Sequence, residues 1–155
     1  MAEPAFVRWS SGAIPSTQTA NSVAEFSGPP GAATVKLETL IAGPAASGPI
    51  LALTAPISFW GGVNPKTSAV ADVRHPQHGQ AIAGTILYLP GTIGSSSASA
   101  VLLELIHRNI APAAIIMREP DAILLLGVLV AHEMGWGGPS AYRLSQSASG
   151  SNGIV

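Results

Sequence analysis

Three features of the 155-residue chain predict an α/β domain. Short apolar runs with strand character occur at residues 82–89, 113–117 and 141–144. Two stretches with helical character, residues 96–108 and 122–134, separate them. Gly and Pro punctuate the joins, and strands alternating with helices build a sheet flanked by helices.

Residues 1–33 are rich in Ser, Ala, Pro and Gly, and SGPPGAA at 27–33 opposes a regular helix or a central strand. An extended or mobile arm is expected there, with Phe6, Trp9 and Phe26 docking on the chain's own core or on a partner. The domain proper is expected at 34–144. In its first strand Val35, Leu37, Thr39 and Ile41 alternate with Lys36, Glu38 and Leu40. Turn-forming residues 42–49 separate it from a second strand at 50–53. Residues 54–80 are too interrupted by Pro and Gly for long elements, but Ile57, Phe59, Trp60 and Val63 suit an ordered, functional loop. The strand at 82–89 leads through a tight loop at 91–95 into a helix whose Val101, Leu102, Leu105 and Ile106 share one face. Beyond the next strand, Asp121 can cap the second helix, which Gly135 and the Gly137-Gly138-Pro139 run end. Residues 145–155 read as a low-complexity tail.

Composition narrows the function classes. Charged residues are 10% of the chain and the net charge is −1, so no field gathers nucleic acid or an anionic membrane. Typical domains carry roughly 25% charged residues, so either a partner covers apolar surface here or Gly, Ala and Ser dilute the count. With no cysteine the chain forms no disulfide and cannot by itself bind an iron–sulfur cluster. The longest apolar run, residues 122–131, falls short of the roughly 18–20 residues that cross a bilayer. No signal-peptide core stands at residues 1–11, and a cytoplasmic address is expected.

Four segments carry candidate chemistry. In LPGTIGSSSASA, residues 89–100, a Gly-flanked serine cluster stands between a strand and a helix, where unpaired N–H groups and the helix dipole favour an anion. Serine is a poor base unless neighbours stabilise its deprotonated form, and Ser95, first after Gly94, is the best placed. Ser96 and Ser97 then serve as caps, and all three can equally be mere capping or linker residues. In PISFWGGVNP, residues 56–65, Phe59 and Trp60 precede Gly61 and Gly62, a pattern that either roofs a pocket or interface or sets a core tryptophan at a turn. Four histidines lack zinc-site spacing, since His132-Glu133 has no second histidine of H-E-x-x-H. His75 is the best suited of them to polar work, whether catalytic or purely hydrogen-bonding. Arg118 closes a strand, where α/β sheets place ligands, and either grips a carboxylate or pairs with Glu119 or Asp121.

Taken in order, PISFWGGVNPKT, HPQHGQAIAGTILYLPGTIGSSSASAVLLELI and APAAIIMREPDAILLLGVLVA resemble the small subunit or swivel domain of the aconitase X family, over about residues 52–134. The resemblance implies a swivelling β/β/α domain, a mixed sheet or barrel with flanking helices. It further implies a heterodimer or higher assembly with a larger subunit that holds an iron or iron–sulfur centre, this chain binding no cofactor alone. The shared site would dehydrate a small hydroxy acid. In the family's loop the serine after Gly-x-Gly accepts a proton, which matches Ser95, with Gly94, Ser96, Ser97, Arg118 and His75 as substrate-binding neighbours. Many members read Gly-Arg-Gly-Ser where this chain has Thr92-Ile93-Gly94-Ser95, so the loop arginine is missing unless Arg74, Arg118 or a partner residue stands in. Its loss leans toward cis-3-hydroxy-L-proline as substrate. The alternatives are mevalonate 5-phosphate, or a non-catalytic ligand-binding or structural subunit of the same fold.

Overall fold

The structure, a computed structural model, describes residues 6–8, 23–26 and 35–144, with side chains from Leu37 onward. Among these residues the strands are β1 (Phe6–Arg8), β2 (Val23–Phe26), β3 (Val35–Ile41), β4 (Ser47–Ala52), β5 (Ile86–Leu89), β6 (Ala114–Met117) and β7 (Ser140–Leu144). They form one sheet in the order β1-β4-β5-β6-β7-β3-β2. Strands β4 to β7 run parallel, and β1, β3 and β2 extend the sheet antiparallel at its two sides. This is the expected mixed sheet.

Helix α2 (Ala98–His107) joins β5 to β6, and α3 (Ala122–Glu133) joins β6 to β7. Right-handed crossovers that step across a sheet in one direction leave their helices on the same face. Leu102, Leu105, Leu124 and Val128 accordingly pack with Leu87, Leu89, Ile115, Met117 and Ala141 in one core. The alternate residues Ile86, Ala114 and Tyr142 join Leu37 and Ala46 on the other face, as the two-residue period of a strand requires. Each large core side chain contributes about 1.5–3 kcal/mol through burial.

Several expected boundaries move, each for a local reason. The strand expected at 82–89 starts only at Ile86, because Gly84 has φ +68° and Thr85 folds back, its N–H and Oγ1–H both reaching Ile82 O, at 3.3 and 2.8 Å. Strand β4 starts earlier than expected, since its residues 47–49 pair with β1 before its pairing with β5 begins at Ile50. In β3 the register shifts between Thr39 and Ile41, so Leu37 and Ile41 serve opposite faces although the alternation places them on one. Two short strands, β1 and β2, fall within residues 1–33. Trp9, the side chains of Phe6 and Phe26, and the tail at 145–155 lie outside the described residues.

Ser140 opens β7 fully buried, packed against Gly43, and its hydroxyl finds no hydrogen-bond partner among the described residues. An orphaned buried hydroxyl costs free energy, so Ser140→Ala is expected to be neutral or stabilising by up to about 1 kcal/mol in thermal denaturation. A clear loss of stability would mean that the hydroxyl has a partner after all.

Candidate functional site

Parallel strands end side by side, so the segments leaving β4, β5 and β6 emerge at one edge of the sheet, where α/β folds bind ligands. The first of these contains α1 (Phe59–Gly62). Apart from the closing bond from Val63 N–H to Phe59 O, at 3.3 Å, this element is a turn and not a helix. Trp60 at φ −73°, ψ 113° and Gly61 at φ 78°, ψ −18° have type II turn geometry, and the positive φ explains why glycine follows the tryptophan. Ser58 Oγ donates to Trp60 O at 3.0 Å and steadies it. Phe59 turns into the core at 1% exposure and Gly62 is buried against Ile57, so these two support the turn. Trp60 is 61% exposed, which overturns the reading of it as a core residue.

This segment is laced to the loop after β5. Ile57 N–H donates to Gly91 O at 3.4 Å, and Ile93 N–H donates to Ile57 O at 3.0 Å, prolonging the parallel pairing of β4 and β5 by one step. The segment after β6 is laced to the same loop from the other side. Arg118 N–H donates to Leu89 O at 3.0 Å, and Thr92 Oγ1 donates to Asp121 Oδ2 at 2.6 Å. Asp121 caps α3 as expected, its Oδ1 accepting from the N–H groups of Ile123 and Leu124 at 2.9 and 3.2 Å. The bond to Thr92 spans 29 residues of sequence and no local pattern announces it.

The serine cluster is arranged differently from the expectation. Helix α2 begins at Ala98, and Ser97, at its N-cap position, makes no side-chain cap bond. Ser96 is exposed, and its carbonyl accepts from Ser99 Oγ at 3.4 Å. The hydroxyl that receives a backbone donor is that of half-buried Ser95, which accepts from Ser97 N–H at 3.2 Å, while Ser95 O accepts from Ala98 N–H at 3.1 Å. Ser95 therefore turns the chain into α2 and holds its oxygen where a backbone N–H and the helix dipole both favour negative charge. A Cβ built on exposed Gly94 meets no atom within 4 Å, so space beside the serine is open.

Arg118 is exposed and joins no ion pair among the described residues. The alternative pairing with Asp121 is not formed, and the carboxylate there accepts from Thr92 Oγ1 and from amides of α3. His75 is buried at 6% exposure. Its Nδ1 accepts from Gln77 N–H at 3.1 Å, which leaves the proton on Nε2, 3.0 Å from the Ala55 carbonyl it bonds. Gln77 Oε1 in turn accepts from Thr54 N–H at 3.0 Å. His75 and Gln77 thus clamp the backbone just ahead of the Trp60 turn. On the same loop the Arg74 amide and guanidinium hold the Asp72 carboxyl below the usual carboxylate range. Among the described residues no group of three or more His, Asp or Glu is placed to hold a metal, and no helix is long and apolar enough to cross a membrane. His107 instead lies against Trp136, ring centroids 4.6 Å apart and planes tilted by 42°.

Comparison with known proteins gives this edge a context. A family model described as the aconitase X swivel domain matches residues 34–148. A cis-3-hydroxy-L-proline dehydratase of Pseudomonas aeruginosa is 51% identical over 96 residues, 62% of this chain and 16% of that protein. The small subunit of a phosphomevalonate dehydratase of Methanothermobacter thermautotrophicus is 43% identical over 84 residues, 54% of this chain and 64% of that protein. The crystal structure of Thermococcus kodakaraensis aconitase X in its holo form superposes with a TM-score of 0.61 at 33% identity, covering 69% of this chain and 78% of that one. The chain therefore spans less than two thirds of either curated relative's length.

Proposed function

Because the chain belongs to the aconitase X swivel-domain family, we propose that it is the small subunit of a hydro-lyase that dehydrates a small hydroxy acid at a site completed by a larger subunit. Cis-3-hydroxy-L-proline is the substrate the reading favours. The observation that carries it is the setting of Ser95, whose oxygen accepts the Ser97 N–H at the start of α2 beside the open space at Gly94. That setting lowers the free energy of an alkoxide, which a serine needs if it is to remove a carbon-bound proton.

In the proposed reaction Ser95 takes the proton alpha to the carboxylate while the 3-hydroxyl leaves and, with a proton, becomes water. The enamine left behind rearranges to a cyclic imine. The substrate carboxylate is met by the guanidinium of Arg118, by the Ser96 N–H and by the Ser97 hydroxyl, which makes no cap bond to α2. Trp60 and Gly61, at the tip of their turn, form the rim that faces substrate or partner, with Phe59 and Gly62 holding them from within. His75, both ring nitrogens occupied, acts on the site by fixing the strand exit that carries this rim. The chain has no cysteine and so cannot ligate an iron–sulfur cluster through its own thiolates, and in the proposed enzyme such a centre would be held by the larger subunit.

A partner is supported by α3, whose Ile123, Leu126 and Leu129 are exposed, with Met134 and Trp136 just beyond. A helix apolar all round is normally covered on every side. Mevalonate 5-phosphate remains the second reading, favoured by the match to a separately encoded small subunit of comparable size. Against it stands Ile93, exposed and uncharged at the loop position where a phosphate would profit from an arginine.

The test is to purify the chain together with a larger aconitase X-type subunit and assay the complex on both substrates. Imine formation from cis-3-hydroxy-L-proline is expected, the isolated chain being inactive and iron-free. Turnover of mevalonate 5-phosphate alone would exchange the two readings, and turnover of neither would sink both.

A further inference from the structure

Asp121 does more than cap a helix. With Oδ1 fixed by two amides of α3, its Oδ2 stands 2.6 Å from the Thr92 hydroxyl across the site edge. A carboxylate only accepts, so the hydroxyl donates, and charge-assisted bonds of this length are about twice as strong as neutral ones. Thr92 lies in a segment with glycines at 91 and 94, which otherwise leave the backbone loose. On one side Ile57 holds the backbone through its bonds to Gly91 and Ile93, and on the other Asp121 holds the Thr92 side chain.

We propose that the Thr92–Asp121 pair is a positioning tie, which fixes the loop against the start of α3 and so sets where Ser95 Oγ stands. It rests on the reading of Ser95 as proton acceptor, since reacting groups must be held to within about 0.5 Å of their productive geometry. A helix end is a suitable anchor, because the amides that hold Asp121 are themselves fixed by the core packing of Leu124 and Val128.

Thr92→Val removes the hydroxyl at constant shape, Thr92→Ser keeps it, and Asp121→Ser keeps a capping oxygen without the reach to residue 92. Amide hydrogen exchange of the full chain reports directly on Ile93 and Ser97. Thr92→Val and Asp121→Ser are each expected to speed exchange at both amides about tenfold or more, with the double variant no faster than the singles. Thr92→Ser is expected to stay within about twofold of the parent protein. In the complex, Thr92→Val should lower kcat about tenfold at nearly constant KM, and Thr92→Ser should restore it.

Unchanged exchange in Thr92→Val, or equal loosening in Thr92→Ser, overturns the tie. Faster exchange with unaltered kcat overturns its role in placing Ser95. A parent complex without hydro-lyase activity defeats the proposed function instead, and the exchange measurements then still decide whether the tie exists.

Discussion

Ser95→Ala is expected to lower turnover by the assembled enzyme about a hundred- to ten-thousand-fold, the usual contribution of a positioned proton acceptor. The loss should fall on kcat more than on KM, because Ser95 is proposed to take the substrate's proton and not to bind the substrate. The same substitution removes the acceptor for that N–H at the start of α2 and should cost about 0.5–2 kcal/mol of stability, as the loss of a helix cap does. A modest shift of the thermal midpoint with full co-purification of the partner therefore separates chemistry from folding. Retained activity would remove Ser95 from the reaction and leave the chain a binding or structural subunit.

Gly127→Ala is expected to destabilise the domain by about 1–3 kcal/mol, as overpacking does in a close-packed core. In the middle of an ordinary helix this change stabilises by up to about 1 kcal/mol, since glycine is the weaker helix former. Here the sign reverses, because a Cβ on Gly127 would stand 2.5 Å from the backbone carbonyl oxygen of Ser99. Either α3 withdraws or the first turn of α2 is displaced, and that turn begins three residues after Ser95. Urea or thermal unfolding measures the loss, and a reduced kcat should accompany it. An unchanged or raised midpoint would show that the two helices can separate at no cost.

Much of this molecule is legible along the chain, because its signals are local. Apolar period, Gly and Pro punctuation and the Asp121 cap locate the strands from β5 to β7 and the two helices to within a few residues, except where the Gly84 turn shortens β5. The segments at 56–67, 75–106 and 111–131, in that order, point to the family that the match over residues 34–148 bears out. Ser95 stands out for the same reason, as a serine between a glycine and a helix start.

What the tertiary structure alone decided depends on contacts between residues far apart in the chain. Alternation in β3 cannot announce the register shift that sends Ile41 and Leu37 to opposite faces. The Trp60 pattern suits a buried or an exposed ring equally, and packing of Phe59 settled which aromatic turned inward. Arg118 forms no ion pair with its neighbours Glu119 and Asp121, and the Asp121 carboxylate instead meets Thr92, 29 residues away. Local sequence sets the dihedral preferences of each segment, while hydrogen bonds and packing across the sheet edge choose among the side-chain partners those preferences leave open.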